Sequence, residues 1–150
     1  MNRARYTGND GAFELRLPAG WKMEPDAEGG ALVSAVEGRG LLHLVPFERE
    51  LEEPSDPAEE LYAFLEDQEI ELQEDEVDDL ELPGEAGAAL CEYLAEEGDE
   101  LVYWLVCVAT APSRLLFASY SCPSGQEDDE REVILQILST LTFDDLPAGP

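Results

Sequence analysis

His43 is the only histidine in the chain, so a catalytic triad would have to be built around it. It lies in the apolar run Leu41 to Leu44, which predicts a strand. Ser119, Ser121 and Ser124 have no adjacent base, and no serine stands in the G-x-S-x-G pattern of a nucleophile elbow. An enzyme would need a pocket in which His43 meets a serine or cysteine and a carboxylate. We interpret His43 as a structural or surface residue and expect no enzymatic activity.

The three cysteines, Cys91, Cys107 and Cys122, are odd in number and lack the close spacing of a metal site. Cys122 has no basic neighbours that would activate its thiol. The sequence therefore favours neither a disulfide framework nor a zinc site. We predict that each cysteine fills core space as a small apolar residue.

The acidic run from Glu74 to Asp79 offers the oxygen ligands that calcium takes. It lacks the alternating D-x-D-x-D-G spacing and the distant glutamate of a calcium loop, so we interpret it as a solvated turn. Gly29-Gly30 and Gly84 are followed by no lysine, which argues against a phosphate-binding loop. We expect no metal and no cofactor.

The formal charge of −28 is unevenly distributed along the 150 residues. Residues 1–47 carry 6 acids and 5 bases, a net −1; residues 48–81 carry 17 acids and only Arg49, a net −16; residues 82–150 carry 13 acids and 2 bases, a net −11. Such a field repels nucleic acid and anionic membranes and favours encounter with basic proteins. We therefore predict a protein partner, either basic or with an exposed apolar segment, and neither nucleic-acid binding nor membrane insertion.

Length and composition predict one folded domain, since 44% of the residues are apolar. We place it at 1–145, with a flexible tail at 146–150. No stretch approaches the roughly 20 apolar residues of a membrane helix, and the polar start does not have the pattern of a leader. We expect a cytoplasmic protein, either a monomer or a homodimer.

The first third of the chain predicts a β-meander. In the strand Phe13 to Leu17, apolar and charged residues alternate, and Pro18 to Gly20 then turn the chain into Trp21. Two more strands, Ala31 to Val36 and Leu41 to Phe47, flank a short connection that contains glycine.

A helix is predicted from Pro57 to Gln68, because Asp56 is a suitable cap and Glu59 follows it by three residues. Leu61, Tyr62, Phe64 and Leu65 form its apolar stripe. Two short strands, Ile70 to Gln73 and Leu80 to Leu82, are predicted on either side of the acidic turn.

Three long antiparallel strands are predicted between Gly87 and Cys122. Leu101 to Ala109 is apolar at almost every position, which is typical of a central strand covered on both faces. A closing helix from Gln126 to Thr140, capped by Ser124, would supply one of the covers. Phe143 then closes the ordered chain.

The segment Phe13-Glu14-Leu15-Arg16-Leu17-Pro18-Ala19-Gly20-Trp21-Lys22, the order of elements, and the ending Ile137-Leu138-Ser139-Thr140-Leu141-Thr142-Phe143 resemble the PsbP-like fold. This superfamily includes PsbP, the Ran-binding Mog proteins, the lipoprotein DcrB and the Eag chaperones of type VI secretion. The resemblance implies an α+β fold in which an antiparallel sheet lies between a mid-chain helix and a C-terminal helix, and it implies binding to other proteins. It supplies no catalytic residue.

Two functions therefore compete. The first is a non-enzymatic protein-binding module, an adaptor or chaperone of the secretion-chaperone kind in the bacterial cytoplasm. The second is an acidic neutralising inhibitor or immunity protein that covers a basic partner. In either case we expect a basic partner to meet the acids of the predicted helix and turn: Glu59, Glu60, Glu66, Asp67, Glu74, Asp75, Glu76, Asp78 and Asp79.

Overall fold

The computed structural model describes residues 2–8, 11–25, 30–35, 40–48, 56–67, 77–82, 87–111, 114–125 and 130–143. The predicted strand Ile70 to Gln73, the first half of the predicted acidic turn (74–76) and the predicted tail 146–150 lie outside the described residues. The described elements are, in chain order, β1 (Asn2–Gly8), β2 (Gly11–Leu17), β3 (Trp21–Pro25), β4 (Ala31–Ala35), β5 (Leu41–Glu48), α1 (Pro57–Asp67), β6 (Val77–Glu81), β7 (Gly87–Glu97), β8 (Glu100–Ala111), β9 (Arg114–Pro123), α2 (Arg131–Ser139) and β10 (Thr142–Phe143).

The described strands form two antiparallel sheets. The larger has the order β3-β4-β5-β9-β8-β7-β6, and the smaller has the order β1-β2-β10. β5 joins the amino-terminal meander to the three long strands, because it pairs with β4 along one edge and with β9 along the other. The predicted α+β class, an antiparallel sheet flanked by a mid-chain and a C-terminal helix, is confirmed.

β8 is the most deeply buried strand of the large sheet. It lies between β7 and β9, and every residue from Leu105 to Thr110 is buried. Because neighbouring side chains of a strand point to opposite faces, a strand buried in this way needs a cover on each side of the sheet. The predicted two-faced burial of Leu101 to Ala109 is confirmed from Leu105 to Ala109, whereas Leu101 is 43% exposed.

α1 covers one face of the large sheet. Leu61 and Leu65, one helical turn apart, are buried in a cluster with Ala89, Val106 and Val108 of the sheet. The spacing of the two leucines explains this, since positions i and i+4 share a helix face. We call this side the α1 face.

The opposite face is covered by α2 together with the small sheet, and we call it the α2 face. Ile134, Ile137 and Leu138 of α2 share a cluster with Phe13 and Leu15 of β2. The helix and β2 had been expected, but β1 and β10, which pair with β2 on either side, had not. The cover is thus wider than a single helix.

α1 begins where the sequence predicts. The Asp56 carboxylate accepts a hydrogen bond from the Ala58 N–H at 3.0 Å, which satisfies one of the unpaired donors of the first turn. The described helix ends at Asp67, and Gln68 lies outside the described residues.

The predicted acidic turn is wrong in its second half, because residues 77–79 belong to the edge strand β6. Val77 packs into the cluster on the α1 face, whereas Leu80 packs into the cluster on the α2 face. The two residues are three positions apart, and an odd separation places side chains on opposite faces of a strand. Pairing with β7 holds this strand in the sheet.

The predicted start of the C-terminal helix is also wrong. α2 begins at Arg131, and the Ser124 N–H donates to the Leu101 carbonyl at 2.9 Å, so Ser124 belongs to a turn beside the hairpin of β7 and β8. The local capping pattern at Ser124 therefore does not mark the start of the helix. Neither helix in the described residues has the length and apolar character needed to span a membrane.

A buried carboxylate fixes the beginning of α2 on the sheet. The Glu130 side chain, in a residue only 7% exposed, accepts hydrogen bonds from the Tyr120 hydroxyl at 2.6 Å and from the Gly40 N–H at 3.1 Å. Burial, and then the bond to Glu130, raise the pKa of Tyr120. A side chain at position 40 would overlap the Tyr120 ring, so the close approach requires glycine.

We expect Gly40→Ala to lower the free energy of unfolding by about 2 kcal/mol, because the added methyl group must displace the Tyr120 ring. Gly87→Ala is the matched control, since a Cβ there meets only Pro57 at an ordinary 3.9 Å. Urea unfolding measures both. In a Tyr120→Leu background the cost of Gly40→Ala should shrink; an unchanged cost would show that the ring is not the obstacle.

Candidate functional site

The hairpin of β7 and β8 extends beyond the described pairing of the edge strand β6. β7 pairs with β8 from Gly87 to Glu97, but β6 pairs with β7 only from Gly87 to Cys91. No described strand pairs with the other side of β7 from Glu92 to Glu97, a segment that we call the outer edge. Alternate residues of the outer edge therefore direct backbone N–H and C=O groups away from β8.

Two exposed leucines lie at this part of the hairpin. Leu94 is 55% exposed and Leu101 is 43% exposed. The register pairs Leu94 with Tyr103 and Glu96 with Leu101, so both leucines point to the α2 face. Exposed apolar side chains thus lie beside a backbone edge that pairs with none of the described strands.

A hollow of about 320 Å³ opens beside Leu94, and Glu92, Tyr93, Leu94, Tyr103 and Arg131 line it. Its lining combines two tyrosines and a leucine with one ion pair. This volume is at the lower end of the range for small-molecule sites, and it is large enough for a side chain of a binding partner.

The ion pair in the hollow joins β7 to α2. The Arg131 guanidinium donates from Nε and Nη2 to the two oxygens of Glu92, the second bond measuring 3.1 Å. The Tyr103 hydroxyl also donates to Glu92. The Arg131 side chain is 38% exposed and the Glu92 side chain 30%, so water partly screens the attraction between their charges.

This network holds its groups in fixed charge states. Burial raises the pKa of Glu92, but the hydrogen bonds from Arg131 and Tyr103 outweigh burial and leave that pKa lowered. Burial and the bond to Glu92 raise the pKa of Tyr103, and the bond to Glu92 raises the pKa of Arg131. Each pKa lies further from 7 than the ordinary value of its group. Near pH 7 the three groups therefore keep their protonation states, and they position one another without exchanging protons.

The position of Arg131 explains why it needs this partner. It is the first residue of α2, where the positive end of the helix dipole disfavours a cation by a few tenths of a kcal/mol to about 1 kcal/mol. The bidentate contact with Glu92 offsets this cost and ties the helix to the hairpin.

The structure divides the acids predicted to bind a partner into two groups. Glu59, Glu66 and Asp67 are exposed on α1, where Glu60 is half-buried, and Asp78 and Asp79 are exposed on β6. Both elements border β7: α1 packs on its α1 face and β6 pairs with it. The remaining three predicted acids, Glu74, Asp75 and Glu76, lie outside the described residues.

The residues first considered for catalysis lie apart from the hollow. His43 is half-buried in β5, with Ser119 of β9 opposite it in the register, and neither lines the hollow. Cys91, Cys107 and Cys122 are buried and form no disulfide, as predicted, and burial raises the pKa of Cys107 to about 12. Among the described residues, no three histidine, cysteine or acidic side chains form a group that could hold a metal ion.

The hollow was not predicted from the sequence, although one signal for it was present. Only two bases follow Arg49 in the chain, and one of them, Arg131, stands among acids at the start of a helix. A lone arginine in such a place indicates a specific acidic partner. Identifying Glu92 as that partner required the strand register.

Comparisons with known proteins find similarity only at the level of structure. No family model and no curated protein matches the chain. LpqN, involved in cell envelope biogenesis of Mycobacterium tuberculosis, superposes with a TM-score of 0.68 at 13% identity, over 95% of this chain and 92% of LpqN.

A structure from Bacteroides thetaiotaomicron VPI-5482 gives a TM-score of 0.64 at 16% identity, over 87% of this chain but 44% of that one, so this chain spans less than half of that protein. The cyanobacterial PsbP of Synechocystis sp. PCC 6803 gives 0.47 at 15% identity, over 95% of this chain and 92% of its own. The chain therefore has the PsbP-like fold that its element order predicted, and at these identities the likeness is one of fold.

We expect Arg131→Met to lower the free energy of unfolding by about 1 kcal/mol near neutral pH. In the wild type the pKa of Glu92 is lower in the folded protein than in the unfolded chain. The ionised carboxylate therefore stabilises the fold above the unfolded pKa, and this stabilisation is lost as the pH falls through the folded pKa. Without Arg131 the burial of Glu92 disfavours its carboxylate, so the cost of the substitution should grow as the pH rises from about 3 to about 6.

The matched control is Arg16→Met, which removes the same charge from an exposed side chain on β2. Chemical unfolding across this pH range measures both variants. Equal losses for the two variants at every pH would contradict a specific role for the Glu92 ion pair.

Proposed function

We propose that the protein is a non-enzymatic protein-binding module, an adaptor or chaperone of the secretion-chaperone kind that works in the bacterial cytoplasm. One observation carries this proposal: exposed leucines and a hollow lie beside a strand edge that has no partner among the described strands. Such a combination is a ready surface for a segment of another protein.

The chemistry of the hollow supports binding over catalysis. Its three ionisable groups, Glu92, Tyr103 and Arg131, have pKa values displaced away from neutrality. A general acid or base works best with a pKa near the working pH. The network instead gives the wall of the hollow a fixed shape, which lowers the entropic cost of receiving a partner.

The charge of the chain supports a role that keeps an apolar surface in solution. A formal charge of −28 makes copies of the chain repel one another while Leu94 and Leu101 remain exposed. A chaperone needs both properties, since it must contact apolar segments without aggregating. The three buried cysteines, none of which forms a disulfide, support a reducing compartment such as the cytoplasm.

A second candidate function is the acidic neutralising inhibitor. It is supported by five exposed carboxylates, those of Glu59, Glu66, Asp67, Asp78 and Asp79, which form no ion pair with another described residue. Exposed carboxylates of this kind steer a basic partner toward the surface. In that case the partner would meet α1 and β6 and not the hollow.

Site-specific photo-crosslinking in the native cell distinguishes the two functions. A photoreactive phenylalanine derivative is placed at Leu94, at Glu66 of α1, or at Leu41, which is 42% exposed on β5 and serves as the control. We expect a discrete adduct with a partner protein from position 94 and none from position 41. An adduct from position 66 alone would favour the inhibitor.

The captured partner is then purified and titrated against the protein at about 0.05 M and about 0.5 M salt. We expect the affinity to fall by less than about tenfold, because apolar contacts and backbone hydrogen bonds are little screened by salt. Adducts of equal yield from positions 94 and 41, or none from any position, would contradict a protein-binding function.

A further inference from the structure

We infer that the end of the β7–β8 hairpin binds an amphipathic α-helix of a partner protein on its α2 face, and that basic residues flank the apolar stripe of this helix. The inference rests on the proposed protein-binding function and names the kind of segment that is bound. The docking surface consists of Leu94, Leu101 and the hollow beside Leu94, and we call it the leucine surface.

The leucine surface lies on a face of the sheet, so it does not depend on what pairs with the outer edge of β7. Side chains stand roughly perpendicular to a sheet, whereas a strand paired along its edge lies in its plane. Leu101 belongs to β8, which pairs with β7 on one side and with β9 on the other. In the folded chain Leu94 is 55% exposed and Leu101 is 43% exposed, so both are accessible from the α2 face.

The two leucines are close enough to contact one helix. The register places Leu94 opposite Tyr103, two residues from Leu101, so the leucines are diagonal neighbours about 7 to 8 Å apart. Helix residues four positions apart share a face and are separated by about 6 Å along the axis. One such residue can contact Leu101 while the other contacts Leu94 and reaches into the hollow.

The backbone of the hairpin favours a helix over an extended segment on this face. The N–H and C=O groups that join β7 to β8 bond within the plane of the sheet, so the face offers side chains to a partner. An extended segment lying on that face would leave its own backbone groups unpaired, whereas a helix satisfies them internally. α2 already packs on the α2 face and begins at Arg131, so a partner helix would extend the same layer along the hairpin.

The charges around the leucine surface specify basic flanks for the partner helix. Glu96 lies opposite Leu101, and Asp99 and Glu100 follow at the hairpin turn. All three carboxylates are exposed, and none forms an ion pair with a described residue. Arg131, the base that lines the hollow, is already held in an ion pair. Basic residues beside the apolar stripe are therefore complementary to this rim.

Charge argues against a second copy of this chain as the occupant. Two leucine surfaces placed against each other would bring their acidic rims together, and each chain carries a formal charge of −28. Repulsion between like charges opposes such a contact, as it opposes contact with an anionic membrane. A basic amphipathic helix meets the same rim with the opposite charge.

The test uses a synthetic peptide with two repeats of Leu-Lys-Lys-Leu-Leu-Lys-Lys, which places the leucines on one face of a helix. A second peptide has the same composition in an order that forms no apolar stripe. We expect the first peptide to bind at least about tenfold more tightly and to gain helix when bound. Fluorescence anisotropy measures the affinities, and the difference far-ultraviolet circular dichroism spectrum of the complex measures the helix.

Four protein variants locate the site. Leu94→Ser should weaken binding of the first peptide about tenfold, whereas Leu41→Ser, at a comparably exposed leucine of β5, should change it by less than about twofold. At about 0.05 M salt Glu96→Gln should weaken binding about threefold and Glu66→Gln on α1 by less than about 1.5-fold, and this difference should disappear at about 0.5 M salt. Circular dichroism of the free variants confirms that they are folded.

The outcomes separate this inference from the proposed function. Equal affinities for the two peptides, equal effects of the two leucine variants, or binding without a gain of helix would overturn helix docking at the leucine surface while leaving a protein-binding function standing. Failure of the first peptide to bind, when the partner crosslinked through position 94 does bind, would overturn the basic amphipathic chemistry. Failure of the peptide together with the absence of any crosslinked partner would remove the proposed function as well.

Discussion

Burial of β8 on both faces is the constraint on which the rest of the molecule depends. A strand whose residues from Leu105 to Thr110 are all buried requires neighbours along both edges and covers on both sides. β7 and β9 supply the edges, α1 covers one face, and α2 with the small sheet covers the other. The buried Glu130, bonded to Tyr120 and Gly40, then holds the start of α2 in place.

The open part of the sheet follows from the same arrangement. β8 is longer than the region that α1 and β6 cover, so the hairpin continues past them to its turn at Gly98 and Asp99. There Arg131 of α2 contacts Glu92 and Tyr103 of the hairpin. The outer edge, the exposed leucines and the hollow lie in this part of the hairpin.

Most of the fold could be predicted from local sequence because the required signals lie within single elements. Asp56 and Pro57 mark the start of α1, and the nearly continuous apolar run of β8 marks a central strand. β10 has only two residues, too few for a periodicity, and β1 was missed although Ala4 and Tyr6 alternate in it and pack on the core. The buried Glu130 that holds the start of α2 bonds to Tyr120 and Gly40, which are distant in sequence, and no local pattern reveals these contacts.

The candidate site could not be predicted because it depends on which residues of neighbouring strands pair with one another. Nothing local in Glu92 to Glu97 shows which strand pairs with it, since that depends on the register of β7 with strands that are distant in sequence. The acids of α1 and β6 were predicted from charge density alone, and the structure places the described ones mostly in solvent on either side of β7. Whether they meet a partner stays a prediction.

Amide hydrogen exchange in the free protein tests the central claim, that the outer edge of β7 is open, most directly. Outward amides from Glu92 to Glu97 should exchange at nearly unprotected rates, alternating with slow amides bonded to β8, whereas every amide from Ala88 to Cys91 should be slow. Uninterrupted protection through Glu97 would contradict the account, because it would mean that another segment already covers this edge in solution.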